Sequence, residues 1–181
     1  MKIRLAADLQ TDSIVDGLGI RTVIWTQGCS HNCPNCHNPQ THDFNGGDLV
    51  ELEDILEELE NLSGQDGVTF SGGDPMFQPK QCSILAKKVH ELGMNVWTYT
   101  GFTFEELLQN GKAEILEFLN EIDVLIDGKF DPTKKSFDLE FRGSSNQRII
   151  DVPKSLENHD IIYFDLNKKQ KIKTEIKRLY I

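Results

Sequence analysis

The chain has 181 residues, 38% hydrophobic and 27% charged, a composition typical of one globular domain rather than a disordered or fibrous protein. A formal net charge of −10 argues against general binding to nucleic acid, whose phosphates attract basic surfaces. No stretch resembles a signal peptide or reaches the roughly 18 apolar residues that span a bilayer. We therefore expect one cytoplasmic domain over residues 1–181, with a basic segment at about 167–181, that binds neither nucleic acid nor membrane.

Strands and helices are predicted to alternate along the chain. Residues 22–26, TVIWT, are β-branched and aromatic and predict a strand. Apolar residues at helical spacing predict a helix over about 52–62, with Asp48 as its cap and Gly64 after it. Further strands are predicted at 68–70, 95–100, 122–127, 148–152 and 161–166, and further helices at 79–92 and from a Thr103–Glu106 capping box to about 119, bent near Gly111.

Helices between successive strands predict a largely parallel sheet, either open or curled as part of a barrel. Each of the first four predicted strands is followed by, or ends in, an unusual motif: the cysteine-rich loop, SGGDP, TYTGF and DGKF in turn. The carboxyl ends of parallel strands meet at one rim, where the active sites of such folds form. The sequence therefore predicts a functional site at this rim.

Three cysteines lie within eight positions of the stretch QGCSHNCPNCHN: Cys29, Cys33 and Cys36. In a reducing compartment, clustered thiols indicate metal binding or catalysis rather than disulfides. A redox pair of Cys33 and Cys36 leaves Cys29 unexplained. Cys82, in contrast, lies on the apolar stripe of its predicted helix and is expected to be a buried, inert thiol.

Two kinds of metal site fit this spacing. Structural zinc prefers four ligands, and three histidines stand close by: His31, His37 and His42. An iron–sulfur cluster is generally held by four thiolates, so three cysteines would leave one iron open to a substrate or cofactor. The spacing favours the cluster but leaves zinc as an alternative.

The motif SGGDP places Gly72, Gly73 and Asp74 at the end of the second predicted strand. Glycine lets a backbone approach a ligand closely, and the carboxylate adds a negative charge. A sharp turn between strand and helix would explain the motif equally well in isolation. Beside the cysteine loop, it favours the wall of a pocket for a cationic or zwitterionic ligand.

The CxxxCxxC loop and SGGDP resemble the signature motifs of the radical S-adenosylmethionine (SAM) enzymes. Within that superfamily, four blocks resemble the activating proteins of anaerobic ribonucleoside-triphosphate reductases: DSIVDGLGIRTVIWTQGC, SGGDP, DVLIDGKF and FRGSSNQRIID. They cover about residues 11–40, 67–77 and 122–151. The superfamily commonly has glutamate where this chain has Asp74, and the activating proteins resemble this chain in having aspartate there.

The resemblance implies an α/β fold, a partial, open parallel β/α barrel of the radical SAM type. It implies a 4Fe-4S cluster on Cys29, Cys33 and Cys36, with SAM chelating the fourth iron through its amino and carboxylate groups. Reductive cleavage of SAM would give a 5′-deoxyadenosyl radical, which takes a hydrogen from a glycine of the reductase. The implied cofactor contacts are Asn35, Cys36, His37, Gly72, Gly73 and Asp74.

The implied partners are the glycyl radical subunit of the reductase and an electron donor such as flavodoxin, and the sequence leaves a homodimer open. Residues 128–145 lack periodicity, and a connection this long tends to be functional, as a cover for the site or a contact for the reductase. Three alternatives stay open: a pyruvate formate-lyase activase, a carboxy-deazaguanine synthase, and a zinc-binding interaction module without catalysis.

Overall fold

A computed structural model describes residues 1–167, which form one mixed β-sheet flanked by helices. All but the first residue of the basic segment predicted at about 167–181 lies outside the described residues. The strands are β1 Lys2–Leu5, β2 Gln10–Ser13, β3 Arg21–Thr26, β4 Asp48–Glu51, β5 Gly67–Gly72, β6 Asn95–Tyr99, β7 Val124–Asp127 and β8 Arg148–Asp151. The helices are α1 Leu52–Glu60, α2 Pro79–Glu91, α3 Phe104–Asn110, α4 Ala113–Asn120 and α5 Val152–Asn158.

The sheet is open and has the strand order β4-β1-β3-β5-β6-β7-β8, with β2 pairing to β3 beside β1. Strands β3, β5, β6 and β7 are parallel, which confirms the predicted α/β class. Helical crossovers connect these four strands, and their carboxyl ends lie at one edge of the sheet. Within residues 1–167, no helix is long and apolar enough to cross a membrane.

The prediction of a largely parallel sheet was wrong outside these four strands. β8 runs antiparallel to β7, because the connection over residues 128–147 contains no α-helix that could return the chain to the other end of the sheet. β1, β2 and β4 were not predicted, and they also pair in the antiparallel sense. Asp48 lies in β4 rather than capping α1, whose N-cap is Glu51.

The predicted strand at 161–166 was also wrong, since only Tyr163 forms an isolated bridge, to Ile150. The capping box of Thr103 and Glu106 is confirmed. Gly111, in the left-handed conformation with φ of 66°, ends α3 and separates it from α4.

The main hydrophobic core lies between the sheet and its helices. There the predicted buried stripe of α2 is confirmed, and the rings of Phe70 and Phe118 meet edge to face with centroids 5.4 Å apart. A second, smaller cluster, defined by Trp97, Val124, Ile126 and Ile149, packs on residues of the connecting loops. Tyr99 and Phe141 border this second cluster and also line the cavity described next.

Candidate functional site

A cavity of about 450 Å³ opens at the carboxyl ends of the parallel strands. The four motifs singled out in the sequence all contribute to its wall, which confirms that they meet at one rim. The residues that line it include Cys29, Cys33, Cys36, His37, Gly72, Gly73, Tyr99, Gly101, Gly128, Phe130 and Arg142. Because the cavity gathers these motifs, it is the candidate active site.

The cysteine loop leaves β3 through Gly28, whose φ of 101° favours glycine. Backbone bonds from Gly28 N to Thr41 O (2.8 Å) and from Cys29 N to His42 O (3.1 Å) pin the start of the loop to its return segment. At the tip, Cys36 N donates to Cys33 O (3.2 Å), which brings the last two cysteines together in a tight turn. Backbone hydrogen bonds therefore hold the cysteine loop in a defined conformation.

All three loop cysteines are free, half-buried thiols. Burial raises the pKa of Cys29 to about 11, and burial likewise raises the pKa of Cys33. Both thiols are therefore protonated near neutral pH, and a metal that binds them has to displace their protons. Cys82, confirmed as fully buried in α2, takes no part in the site.

The donor set fits an iron–sulfur cluster better than a single metal ion. Within residues 1–167, no group of three His, Cys, Asp or Glu side chains could hold one metal ion. Tetrahedral zinc needs its ligands around one point, whereas a 4Fe-4S cube takes each thiolate at a different corner. Three soft thiol donors that line one cavity suit the cube.

The glycines of SGGDP lie against the residues that lead into the cysteine loop. Gly73 N donates to Thr26 O (2.7 Å), and Asp74 N donates to Gly28 O (2.9 Å). A Cβ on Gly72 would lie 2.5 Å from Thr26 O, so this glycine is required by backbone packing as well as by its φ of 101°. Both glycines also line the cavity, where a ligand can approach their backbone.

The side chain of Asp74 does not line the cavity. It is 1% exposed, and its carboxylate accepts hydrogen bonds from other parts of the site. The donors are His31 Nε2 (2.7 Å), Thr100 Oγ1 (2.9 Å), Gly101 N (2.9 Å) and Met76 N (2.9 Å). The carboxylate therefore faces protein groups.

The structure brings together some of the predicted cofactor contacts and separates others. Cys36, His37, Gly72 and Gly73 line the cavity, and the ring of His37 contacts that of Phe130 at a centroid distance of 4.9 Å. Asn35 is exposed at the tip of the loop in the left-handed conformation, with φ of 56°, and is not a lining residue. The roles of these residues stay predictions.

Several lining residues were not identified as site residues from the sequence. Asp16 and Tyr99 are among them, and Arg142 is the one lysine or arginine among the residues that line this cavity. Gln147 fixes the loop that carries Arg142: its Oε1 accepts from Gly143 N (2.9 Å), and its Nε2 donates to Gly128 O (3.1 Å). Arg142 and Gln147 lie in FRGSSNQR, so the motif was visible although its residues carried no assignment.

A second cavity of about 490 Å³ lies beside the tip of the cysteine loop, between Pro34 and residues 127–133. Arg148 borders it and binds two carboxylates. It donates to both oxygens of Glu105 (2.9 and 2.6 Å) and also binds the buried Asp127. This network fastens the start of β8 to the end of β7 and to α3.

Comparisons with known proteins found a matching family model and several relatives. Residues 15–150 match a family model described as a 4Fe-4S single cluster domain. The anaerobic ribonucleoside-triphosphate reductase-activating protein of Salmonella typhi is 37% identical over 142 residues, which cover 74% of this chain and 90% of that protein. The protein of the same name from Enterobacteria phage T4 is 34% identical over 155 residues, covering 81% and 93%.

A third relative of the same name, from Pasteurella multocida, is 38% identical over 148 residues, covering 75% of this chain and 90% of that protein. Among solved structures, QueE from Escherichia coli aligns with 57% of this chain and 54% of its own, at 17% identity and a TM-score of 0.47. That structural likeness is too weak to carry an argument.

Proposed function

Because the chain belongs to the family of anaerobic ribonucleoside-triphosphate reductase-activating proteins, we propose that it activates such a reductase by cleaving SAM reductively at a 4Fe-4S cluster. The product of this activation is a glycyl radical on the reductase. One observation carries the proposal: three free cysteines of one loop and the glycines of SGGDP line the same cavity. A cluster with one open corner and a zwitterionic cofactor fit that combination.

In this proposal Cys29, Cys33 and Cys36 hold three irons of the cluster. When bound, the cluster and SAM supply one-electron cleavage of a sulfonium carbon–sulfur bond, which yields methionine and a 5′-deoxyadenosyl radical. The backbone carbonyl oxygens of Gly72 and Gly73 would accept hydrogen bonds from the amino group of the methionyl part. His37 would lie beside the adenosyl part, and Phe130 and Phe141 would give the bound cofactor apolar contacts.

Two predicted contacts take different roles here. Asn35 shapes the turn between the last two cysteines, because asparagine tolerates the left-handed conformation that this position adopts. Its contact with the adenosyl part stays a prediction. The carboxylate of Asp74 is buried against protein donors such as His31 Nε2.

The proposal includes an external electron donor such as flavodoxin, because the matching family model describes a single cluster domain and the reaction consumes one electron. Four free cysteines are compatible with the reducing cytoplasm. A single domain remains a prediction from the sequence, which leaves a homodimer open.

The direct test is anaerobic reconstitution with iron and sulfide, followed by reduction in the presence of SAM. We expect brown protein with about four irons per chain, 5′-deoxyadenosine as product, and a glycyl radical signal by electron spin resonance once the reductase is added. Cys33→Ala should lose the cluster and the product, whereas Cys82→Ala should retain both. Colourless protein that holds only zinc, or an intact cluster without 5′-deoxyadenosine, would refute the proposal.

A further inference from the structure

The carboxylate of Asp74 connects three segments that build the candidate active site. Its Oδ2 accepts from His31 on the cysteine loop and from Thr100 and Gly101 after β6. Its Oδ1 accepts from Met76 N and so caps the short 3₁₀ turn Pro75–Phe77. An ionised carboxylate only accepts hydrogen bonds. All four donors therefore share the Asp74 carboxylate as their acceptor.

The side chain of His31, like that of Asp74, is largely buried. His31 stands between Cys29 and Cys33, and its side chain is 7% exposed. Its ring meets the edge of Phe102 at a centroid distance of 4.5 Å, and a Cβ on Gly101 would lie 2.4 Å from the ring. A side chain at position 101 would collide with the imidazole, so the observed position of His31 requires glycine there.

We propose that Asp74 is a positioning residue that clamps the cysteine loop, through His31, onto the end of β6, rather than a residue that touches the cofactor. This inference rests on the proposed function, because it assigns the clamp to the loop that holds the cluster. The aspartate of SGGDP thus sets the shape of the cluster site, while the two glycines before it face the cofactor.

Burial and bonding favour this role over direct contact with the amino group of SAM. The Asp74 carboxylate is 1% exposed and accepts hydrogen bonds from four protein donors. To contact a ligand, it would have to give up at least one of these hydrogen bonds. Breaking a buried hydrogen bond to a charged group leaves its donor unpaired, which is costly. The backbone next to Asp74 reinforces the clamp, since Asp74 N already holds Gly28 O at the root of the cysteine loop.

The experiment compares Asp74→Asn, His31→Phe and the double variant, each reconstituted anaerobically in the full chain. His31→Phe keeps an aromatic ring against Phe102 while it removes the hydrogen bond to Asp74. The first measurement is the rate at which a ferrous chelator removes iron. We expect each single variant to lose iron about tenfold faster, which corresponds to about 1.4 kcal/mol, and the double variant to be no faster than either single variant.

The second measurement separates positioning from contact. The dissociation constants of SAM and of a SAM analogue that lacks the amino group are measured on the cluster-loaded proteins by equilibrium dialysis. A positioning role predicts that Asp74→Asn weakens both ligands by the same factor. A contact with the amino group predicts that it weakens SAM alone, and that result would overturn the inference.

Asp151→Asn is the matched control, because the Asp151 carboxylate likewise caps a helix, α5, by accepting from Lys154 N (3.2 Å), but Asp151 pairs with Val124 at the opposite end of β7 from the cavity. It should change neither iron release nor binding. If Asp74→Asn fails to fold, Thr100→Val removes one of the four donors and should still speed iron release. If Asp74→Asn leaves iron release unchanged while the wild type cleaves SAM, the positioning role of Asp74 is wrong and the proposed function stands. If the reconstituted wild type does not cleave SAM, the proposed function is wrong.

Discussion

Gly73 lies so close to Gly28 that a Cβ on Gly73 would sit 2.5 Å from the Gly28 carbonyl oxygen. The obstructing atom is backbone, so it has no flexible side chain that could move aside. Gly28 is the residue through which the chain leaves β3 for the cysteine loop. The contact between these two glycines therefore fixes the distance between the glycine motif and the cysteine loop.

Gly73→Ala should consequently push the cysteine loop away from β5. We expect a reconstituted protein with a lower iron content than the wild type and SAM binding at least about tenfold weaker, because both walls of the cavity move. Gly93→Ala is the control. It also strains a glycine, with φ of 76°, but nothing lies within 4 Å of its added Cβ, so it should lower stability without changing iron content or binding. Equal effects of the two variants would contradict this reading.

The loop between β7 and β8 has an exposed outer part and an inner part that lines the cavity. Phe137, in the outer part, is 93% exposed, whereas Leu139, Phe141 and Arg142 line the cavity. Deleting residues 132–138 should therefore spare reductive cleavage of SAM and impair activation of the reductase. Phe137→Ser should act in the same direction, without a change in unfolding free energy beyond about 0.5 kcal/mol.

Formation of 5′-deoxyadenosine and the yield of glycyl radical, measured side by side, test this separation of functions. Leu92→Ser is a suitable control, because Leu92 is also exposed but follows α2 at the opposite end of the sheet from the cavity. Loss of both activities together in the Phe137 variant would show that the outer part of the loop supports the cavity instead.

The ion pair of Glu105 and Arg148 should make stability depend on pH in the acid range. The hydrogen bonds from Arg148 lower the pKa of Glu105 from 4.5 to about 2. A carboxyl whose pKa is lower in the folded state stabilises the fold above its unfolded pKa, and this contribution disappears as pH falls through the folded value. The stabilising effect is thus complete above about pH 4.5 and is lost between about 4.5 and 2.

Glu105→Gln should lower the unfolding free energy at pH 7 by no more than about 1 kcal/mol, because the Glu105 side chain is half exposed and solvent screens the pair. The difference from the wild type should shrink as the pH is lowered from about 4.5 towards 2. Urea unfolding of both proteins over this range tests the expectation. Glu58→Gln, on an exposed position of α1, should show no such convergence.

Arg21 is fully buried and depends on the shape of its guanidinium group. It donates to Thr69 Oγ1 (2.6 Å), Leu18 O (3.1 Å), Val68 O (2.7 Å) and both oxygens of Asn95. Burial lowers its pKa to about 10, so it stays charged at neutral pH. Lysine cannot reproduce this planar set of donors.

Arg21→Lys should therefore cost about 2–4 kcal/mol in unfolding free energy. It should also speed proteolytic cleavage within residues 14–20, because Arg21 holds the Leu18 carbonyl of that segment. Arg4→Lys is the control: Arg4 reaches backbone carbonyls through Nη1 alone, a bond that an ammonium group can replace. A similar loss of stability in the two variants would contradict the importance of the guanidinium shape.

Sequence patterns predicted the elements whose residues are both periodic and buried. The stripe of α2 and the capping box at Thr103 are examples, since each depends on side chains a few positions apart. β1 and β4 were missed because a four-residue strand near the end of a sheet needs little apolar surface and carries charged residues such as Lys2 and Asp48. The antiparallel direction of β8 follows from the absence of an α-helix in 128–147, and the lack of periodicity over residues 128–145 is the sequence signal for it.

The candidate site was predictable where motifs stand at strand ends, and less so where contacts join distant residues. The rim that gathers the cysteines and SGGDP follows from topology alone. The pairing of Asp74 with His31 and Thr100 does not, because neither spacing nor residue type reveals which way a carboxylate turns. Arg142 likewise reaches the cavity only through the path of the long loop between β7 and β8.

Residues 162–164 cover the outer edge of β8. Asp151 N donates to Ile162 O (2.8 Å), and Phe164 N donates to Ile149 O (2.9 Å), around the bridge between Ile150 and Tyr163. An unpaired strand edge is a template for aggregation, and these bonds occupy it. Intermolecular growth of the sheet is thereby blocked at this end. At the other end β4 carries charged side chains, Asp48 and Glu51, of which Glu51 pairs with Lys2 Nζ (3.2 Å), and charged side chains on an edge strand disfavour pairing with another chain.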